Sequence, residues 1–318
     1  MSSIITLTVS PCIDISTSVP VFAPDKKLHC GPVKKEPGGG GINVSRVLGR
    51  LGVENTAIYL AGGYTGAFFT TMLHKENVDT IVIDTENHTR ENFVVGELSS
   101  NLQYRFNMPG PLIQEQEWKE CLRVLGSLTG MKYIIASGSL TAGVPVDFFA
   151  RVAAIAKQKN ARLVLDTSGE ALNAALEEGV FMIKPNFGEL AFLSAIQKLD
   201  KETAILAANK IIATKQCEMV VVSMGAEGAL VITDTISEHV IPPPSIQIKS
   251  TVGAGDSMVA GMVFGLSKGK TIKESLQYAV ACGTAATMHE GTALCYLDDV
   301  ERLAGLISEQ NQQKEIFL

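Results

Sequence analysis

The sequence predicts an α/β protein of three layers, with helices on both faces of a mainly parallel central sheet and a small β-sheet that acts as a lid. Over residues 133–222, short runs rich in Val and Ile alternate with longer amphipathic segments. That alternation is typical of parallel strands joined by helices. Two segments, about 14–37 and 90–106, break the rhythm and are too short to form a core alone, so we expect them to form the lid.

The length and composition are those of one large α/β unit. The chain has 318 residues, which is long for a single domain but ordinary for this class. Hydrophobic residues make up 46% of it and aromatic residues only 6%, which predicts a core of Val, Ile, Leu and Ala. The sequence contains no internal repeat and no linker. We therefore expect residues 1–318 to form one domain, with the lid segments inserted in it.

The individual elements can be predicted in chain order. Residues 1–9 are predicted to form a strand and not a signal peptide, because they lack a basic start and a small-residue cleavage site. The lid contains a strand pair, 92–97 and 102–106, around a polar turn. The later elements are strand 133–136 and helix 147–159, strand 163–166 and helix 168–178, strand 181–183 and helix 189–195, then helix 202–214 and strand 219–222. Polar residues follow these strands, where ligands collect in parallel sheets.

Charge and cysteine spacing narrow the class of partner. The formal net charge of −6 disfavours nucleic acid or an anionic membrane as the main partner. No apolar run approaches the roughly 20 residues of a membrane span. The six cysteines are scattered without C-x-x-C pairs, which fits reduced thiols better than a disulfide framework or a zinc site. We expect a cytoplasmic protein that acts on a small molecule.

The segment Thr251-Val252-Gly253-Ala254-Gly255-Asp256 is a candidate phosphate site. Small residues leave the backbone amides of Gly253, Ala254 and Gly255 open, and the helix that starts there adds a positive dipole end. Asp256 is a poor phosphate ligand but a suitable base for a hydroxyl that attacks phosphorus. The alternative for Asp256 is a structural one, since an acid in the first helical turn complements the dipole.

A second glycine cluster, Gly38-Gly39-Gly40-Gly41, precedes a predicted helix from residue 42 to about 51. Four glycines allow a ligand close to the backbone, and Asn43 offers both a donor and an acceptor for sugar hydroxyls. A flexible loop with a helix cap is the alternative. The cluster is not a G-x-G-x-x-G fingerprint, and the chain contains no G-x-x-x-x-G-K-[ST] motif.

Together these motifs resemble the paired signatures of the ribokinase-like (PfkB) carbohydrate kinases. The similarity covers nearly the whole chain. Within the family the chain is most similar to the minor, type 2 bacterial 6-phosphofructokinases, and the segments that carry this likeness are 8–14, 37–44, 89–92, 103–110, 137–140 and 184–186. The resemblance implies a ribokinase-like fold and phosphoryl transfer from ATP to the C1 hydroxyl of fructose 6-phosphate.

The resemblance also implies roles at the sugar. Asp14, at the end of the first strand, would accept two sugar hydroxyls, although a plain turn Asp is the alternative. Arg90 and Arg105 would bind the phosphate of the substrate, since guanidinium groups match phosphate bidentately; surface solubility is the alternative. Further substrate-binding candidates are Lys27, Gly39, Gly40, Asn43 and Ser139, with a solvated surface position as the alternative for Lys27.

A third group of residues is implied for the nucleotide and for metal ions. The nucleotide candidates are Lys184, Asn186, Ser223, Gly225, Gly228, Val280 and Thr284. Glu189 would hold magnesium through water, which suits an ion that keeps its hydration shell, or it would simply be a first-turn helix acid. Many family members carry Asp where this chain has Ser250. Carbonyl groups around Ser250, Val252, Ala286 and Gly291 are candidates for a potassium ion.

The sequence is also compatible with other activities, and it predicts an assembly. Tagatose-6-phosphate kinase and 1-phosphofructokinase are the nearest alternatives, but such relatives tend to have lysine within the first glycine signature, where this chain has Gly40. A sugar-phosphate sensor that keeps the fold is a non-enzymatic alternative. A lid sheet with one apolar face needs a cover, so we expect a homodimer formed through the lid.

Overall fold

The computed structural model describes residues 2–243 and 246–316, with side chains as far as residue 310. This part of the chain forms thirteen strands and ten α-helices. The strands are β1 (Ile4–Thr8), β2 (Cys12–Val19), β3 (Lys34–Gly38), β4 (Thr56–Gly62), β5 (Asp79–Thr85), β6 (Arg90–Glu97), β7 (Leu102–Phe106), β8 (Tyr133–Ser137), β9 (Arg162–Asp166), β10 (Val180–Ile183), β11 (Cys217–Ser223), β12 (Ala229–Ile232) and β13 (Ser237–Val240). The helices are α1 (Gly40–Arg50), α2 (Gly63–Lys75), α3 (Glu115–Ser127), α4 (Phe148–Gln158), α5 (Gly169–Glu178), α6 (Phe187–Ser194), α7 (Lys201–Ala213), α8 (Ala254–Ser267), α9 (Ile272–Thr287) and α10 (Leu297–Ile316).

The larger sheet has the order β13-β12-β11-β10-β9-β8-β1-β4-β5 among the described residues. The pairs from β11 to β5 are parallel, and only the β11–β12 and β12–β13 pairs at one edge are antiparallel, so β12 alone runs against the other strands. The predicted three-layer fold with a mainly parallel sheet is therefore confirmed. The antiparallel edge was not predicted, because β12 and β13 are four-residue strands whose direction no local pattern reveals.

Two apolar clusters cover opposite faces of this sheet. One contains Leu7, Ile134 and Leu165 and packs against α3, α4, α5 and α7. The other contains the neighbouring positions Ile135 and Val164 and packs against α1, α8 and α9. Successive residues of β8 thus face opposite layers, as the two-residue period of a strand requires. Because the strands are parallel, their carboxyl ends lie at one edge of the sheet, where ligands bind in folds of this class.

The smaller sheet has the order β3-β2-β6-β7 and lies in the two predicted lid segments. Its β2 and β6 strands are parallel, whereas β3 and β7 are antiparallel to their neighbours. The predicted strand 102–106 coincides with β7, and β6 starts two residues before the predicted strand. One expectation was wrong: Asp14 lies inside β2, not at the end of the first strand, which already ends at Thr8. None of the described helices is long and apolar enough to cross a membrane.

Candidate active site

Three adjacent strands of the larger sheet end in polar side chains next to the start of α8. Ser137 ends β8, Asp166 ends β9, and Lys184 follows β10. Because these strands are neighbours and parallel, their carboxyl ends meet at one edge of the sheet. Asp256, in the first turn of α8, lies in the same place.

The Asp256 carboxylate is held from two sides. Asn43 Nδ2 donates to Asp256 Oδ2 at 2.9 Å, and Ser137 Oγ donates to Asp256 Oδ1 at 3.3 Å. Burial raises the pKa of Asp256 to about 6, and the negative charge of Asp166 adds to that rise. The hydrogen bonds from Asn43 and Ser137 and the charge of Lys184 act in the opposite direction. A carboxylate with this pKa is a competent proton acceptor near neutral pH.

Lys184 supplies a buried positive charge beside that carboxylate. Its Nζ lies 3.2 Å from Asp166 Oδ1, and the lysine is only 7% exposed. Burial lowers the pKa of Lys184, but the charges of Asp166 and Asp256 outweigh that effect and raise it. The ammonium group also lies 3.3 Å from where a Cβ at Gly255 would be placed. A side chain at position 255 would crowd the Lys184 ammonium group, so glycine there favours its approach to the start of α8.

The start of α8 depends on glycine at position 253. Gly253 is the N-cap, with a left-handed φ of 73°, and a Cβ there would overlap Leu294. Few side chains tolerate that backbone conformation, and no cap hydrogen bond from a side chain occupies the first turn. The first amides of α8 therefore lack intrahelical partners, which is the arrangement that binds anions.

The start of α1 is packed against the same site. A Cβ at Gly40 would come within 2.7 Å of the carbonyl carbon of Ser137, so glycine allows α1 to approach β8. Gly39 adopts a φ of 114° beside Pro11. Asn43 is 5% exposed, and its Oδ1 is buried without a hydrogen-bond partner, whereas its Nδ2 is bound to Asp256. A buried acceptor without a donor is costly unless a ligand supplies one.

Asp14 and Arg90 lie together on the small sheet. Asp14 Oδ1 accepts from Asn92 Nδ2 at 3.2 Å and from the Cys12 thiol at 3.3 Å. Burial raises the pKa of Asp14, and the two hydrogen bonds and the Arg90 charge partly offset that rise. Arg90 donates to the carbonyl groups of Met108 (2.9 Å) and Ser10 (3.1 Å), and its Nε is buried without a partner.

The remaining substrate-binding candidates are Arg105, Lys27 and Ser139. Arg105 lies on β7 and donates to Thr251 Oγ1 at 3.1 Å, which brings it to the second glycine signature. Gln103, two residues earlier, donates to the Lys249 carbonyl at 3.3 Å. Lys27 and Ser139 are both exposed, and no contact recorded in the structure brings either to Asp256.

The nucleotide candidates occupy the carboxyl ends of β10 and β11. Asn186 caps α6: its Oδ1 accepts from the Glu189 amide and the Glu189 Oε2 accepts from the Asn186 amide, both at 2.9 Å. The N-x-x-E pattern thus forms a capping box. Asn186 also bridges to Ser223, and Gly225 and Gly228 form a tight turn with positive φ values. In α9, Val280 is buried in the core and Thr284 is half-buried one turn later.

The metal-binding candidates differ in which of their oxygen atoms already take part in hydrogen bonds. In the capping box, only Oε2 of Glu189 is engaged, so Oε1 is available to a hydrated cation. Ser250 Oγ donates to the Gly291 carbonyl at 2.9 Å, which brings two of the potassium candidates together. The Ala286 carbonyl accepts from the His289 amide at 3.4 Å. Among the described residues, no group of three or more His, Cys, Asp or Glu side chains could hold a metal ion.

Two residues of the site were missed from the sequence. Ser137 and Asp166 were recognised only as polar residues after strands, whereas they contact Asp256 and Lys184 directly. The signal was the strand end itself, because a side chain there faces the ligand edge of a parallel sheet. In the turn after β8, the candidate Ser139 is exposed, while Ser137 is 2% exposed and faces the carboxylate.

Residues 5–299 match the model of the pfkB family carbohydrate kinases. The chain is 40% identical over 310 residues to ATP-dependent 6-phosphofructokinase isozyme 2 of Mycobacterium tuberculosis, covering 97% of this chain and 91% of the relative. It is 38% identical over 309 residues to the Escherichia coli isozyme 2, covering 97% and 100%. It is 34% identical over 287 residues to the 1-phosphofructokinase of Bacillus subtilis, covering 90% and 93%.

Solved structures of Escherichia coli phosphofructokinase-2 share the fold over 97% of this chain and 100% of theirs. The complex with potassium has a TM-score of 0.92 at 38% identity, and the complex with fructose 6-phosphate has 0.91 at 36%. A tetrameric inhibited form of the same protein has a TM-score of 0.91 at 37% identity.

Proposed function

Because this chain belongs to the pfkB family of carbohydrate kinases, we propose that it is an ATP-dependent 6-phosphofructokinase. It transfers the γ-phosphoryl group of ATP to the C1 hydroxyl of fructose 6-phosphate and forms fructose 1,6-bisphosphate. The observation that carries this proposal is the buried Asp256 carboxylate, with a pKa of about 6, at the open amide end of α8. A base beside an anion site is what phosphoryl transfer to a hydroxyl requires.

The roles of the residues follow from their positions. Asp256 takes the proton from the C1 hydroxyl as the new O–P bond forms and the bond to ADP breaks. The amides of Gly253, Ala254 and Gly255, together with Lys184, stabilise the charge on the transferring group. Gly39, Gly40 and Asn43 allow the sugar close to α1, and the unpaired Asn43 Oδ1 accepts one of its hydroxyl groups. Closure of the small sheet excludes water, which would otherwise compete as acceptor.

The phosphate already on the sugar is assigned to Arg90 and Arg105. Arg90 is anchored by two main-chain carbonyl groups while its Nε lacks a partner, so a phosphate can engage the remaining N–H groups. Arg105 lies on the same sheet and contacts Thr251. We also assign Lys27 and Ser139 to the sugar. Both are exposed, so their segments would have to move to bring them to the substrate.

At the nucleotide, the proposal assigns Asn186, Ser223, Gly225 and Gly228 to the phosphates and ribose, with Val280 and Thr284 beside the base. Magnesium would be held by Glu189 through water and by the nucleotide phosphates, and when bound it neutralises phosphate charge. A potassium ion would be held by carbonyl groups around Ser250, Val252, Ala286 and Gly291. The potassium complex of the Escherichia coli relative supports the presence of a potassium ion.

The sugar preference can be tested directly. We expect kcat/KM with ATP to be highest for fructose 6-phosphate in a panel that also contains tagatose 6-phosphate and fructose 1-phosphate. Phosphorus NMR of the product should show a new phosphate at C1. A higher kcat/KM for either other sugar would assign the chain to that activity, and binding without ADP release would favour the sensor.

We also propose a cytoplasmic homodimer formed through the small sheet. Phe93 pairs with Phe106, and Val95, two residues on and on the same face, pairs with Tyr104. Asp14 pairs with Asn92, which alternates with Phe93, so the three aromatic side chains lie on the face opposite Asp14. These three side chains are 37%, 38% and 45% exposed. Contiguous exposed aromatic side chains are typical of an interface. The six free thiols are consistent with a reducing compartment.

The variant Phe106→Asp tests the dimer. A carboxylate placed in an apolar interface would be desolvated, so we expect light scattering to give the mass of one chain for the variant and of two chains for the parent. Phe192→Asp is the matched control, because Phe192 is 63% exposed on α6, away from the small sheet. A parent protein that is monomeric and fully active at assay concentration would exclude the dimer.

A further inference from the structure

The Asp14 carboxylate is held by two side chains that lie outside the glycine signatures. Both recorded donors, the Cys12 thiol and Asn92 Nδ2, point at the same oxygen, Oδ1. Oδ2 accepts no hydrogen bond from the residues that the structure describes. Cys12 and Asn92 are 3% and 8% exposed, so neither donor is free to turn to solvent. One carboxylate oxygen is thereby occupied and the other is left for a ligand.

Gly38 lies beside the other oxygen of this carboxylate, Oδ2, and leaves room for it because glycine has no side chain. A Cβ at position 38 would overlap Asp14 Oδ2 and would lie 3.1 Å from the Cys12 sulfur. The constraint is steric, because Gly38 ends β3 and pairs directly with Cys12 in the sheet. Any side chain at position 38 would therefore rotate Asp14 or push β2 and β3 apart.

Asn92 connects this carboxylate to the arginine that faces the sugar phosphate. Its Oδ1 accepts from the Met108 amide at 3.0 Å, and the Met108 carbonyl accepts from Arg90 Nη1 at 2.9 Å. Met108, in the segment after β7, therefore contacts both Asn92 and Arg90. A shift of Asn92 would disturb Asp14 and Arg90 together.

We propose that Cys12, Asn92 and Gly38 are positioning residues that present Asp14 Oδ2 to the hydroxyl groups of the sugar, with Asn92 coupling that contact to Arg90. The proposal rests on the proposed function, since it takes the ligand to be a phosphorylated sugar.

The charges around Asp14 are consistent with the donor roles. Burial raises the pKa of the Cys12 thiol well above its ordinary value, with the nearby Asp14 charge adding to it, so the thiol keeps its proton and donates. Arg90 lowers the pKa of Asp14, and Glu36, its partner across β3, raises it. Removing a donor from Asp14 Oδ1 therefore raises the pKa of Asp14 further.

The test compares Cys12→Ala, Cys12→Ser and Asn92→Ala in the full-length enzyme. Loss of one weak donor to a carboxylate predicts an increase in the KM for fructose 6-phosphate of about 3- to 10-fold in Cys12→Ala, with the KM for ATP within about twofold of the parent value. Cys12→Ser restores a donor, so its KM should return to near the parent value. Asn92→Ala should have the largest effect, because it also loosens Arg90. Cys121→Ala removes a buried thiol in α3 and serves as the control.

A second readout needs neither sugar nor turnover. In substrate-free enzyme labelled with 13C-aspartate, the Asp14 resonance, assigned with Asp14→Asn, should titrate at higher pH in Cys12→Ala and at the parent value in Cys12→Ser. An unchanged titration and an unchanged sugar KM in both alanine variants would overturn the proposal. A shifted titration in an enzyme that phosphorylates no ketohexose phosphate would instead contradict the proposed function.

Discussion

Replacing Asp256 with asparagine is expected to lower kcat at least about 100-fold, which is the lower range for loss of a general base. The amide keeps the shape of the carboxylate and can still accept from Asn43 Nδ2, but it cannot take the proton from the C1 hydroxyl. The KM values of both substrates should change little, because Arg90 and the start of α8 are intact. Steady-state kinetics of ADP formation measure the effect, and a variant that keeps near-parent kcat would exclude Asp256 as the base.

The pH profile and the stability of the same variant provide independent checks. Since the pKa of Asp256 is about 6, kcat/KM of the parent should fall as the pH drops through 6, and that limb should be absent from the residual activity of Asp256→Asn. The folded-state pKa lies above the unfolded value. The resulting contribution to stability is therefore present at low pH and is lost as the pH rises through about 6. At neutral pH the asparagine variant should thus melt no lower than the parent. Asp234→Asn, at an exposed turn after β12, is the matched control.

Replacing Arg90 with alanine is expected to raise the KM for fructose 6-phosphate while leaving the KM for ATP roughly unchanged. A charge-assisted contact contributes on the order of 1.5–3 kcal/mol, which corresponds to about a 10- to 150-fold increase. Arg90 also holds the Met108 and Ser10 carbonyl groups, so the melting temperature must be measured alongside the kinetics.

Three variants separate the phosphate contact from that structural role. Arg90→Lys keeps the charge but not the bidentate fork, so it should recover only part of the lost affinity. Arg105→Ala removes the second proposed contact without removing the two Arg90 hydrogen bonds. Arg123→Ala, an exposed arginine on α3, is the control. An equal rise in both KM values for Arg90→Ala would place Arg90 in the fold or at the nucleotide.

Several features of the fold and site could be predicted from the sequence because their causes are local. The alternation of apolar runs with amphipathic segments predicts βαβ units wherever it occurs, and β7 was predicted with its observed bounds. The start of α8 was recognisable for the same reason. Gly253 is needed for a left-handed backbone conformation, and Asp256 follows within one helical turn.

The contacts that make these residues a site depend on distant parts of the chain. Ser137 and Asp256 are 119 positions apart, and Asn43 and Asp256 are 213 apart. No short pattern specifies that β8 lies beside β1 and against the start of α1, because the order of strands distant in the chain is decided when the whole core packs. Ser137 and Ser139 were therefore equivalent in the sequence, and only the packed sheet distinguishes the buried one from the exposed one.

The sequence by itself determined the chemistry available to this protein: an open helix start, a carboxylate within it and a glycine-rich approach for a sugar. These follow from backbone freedom and side-chain type, which act over a few residues. Only the tertiary structure decided that Asp14 lies within β2, with one oxygen occupied by Cys12 and Asn92. The tertiary structure also decided the pKa of Asp256. Burial raises that pKa, and the carboxylate is buried only after distant elements have packed around it.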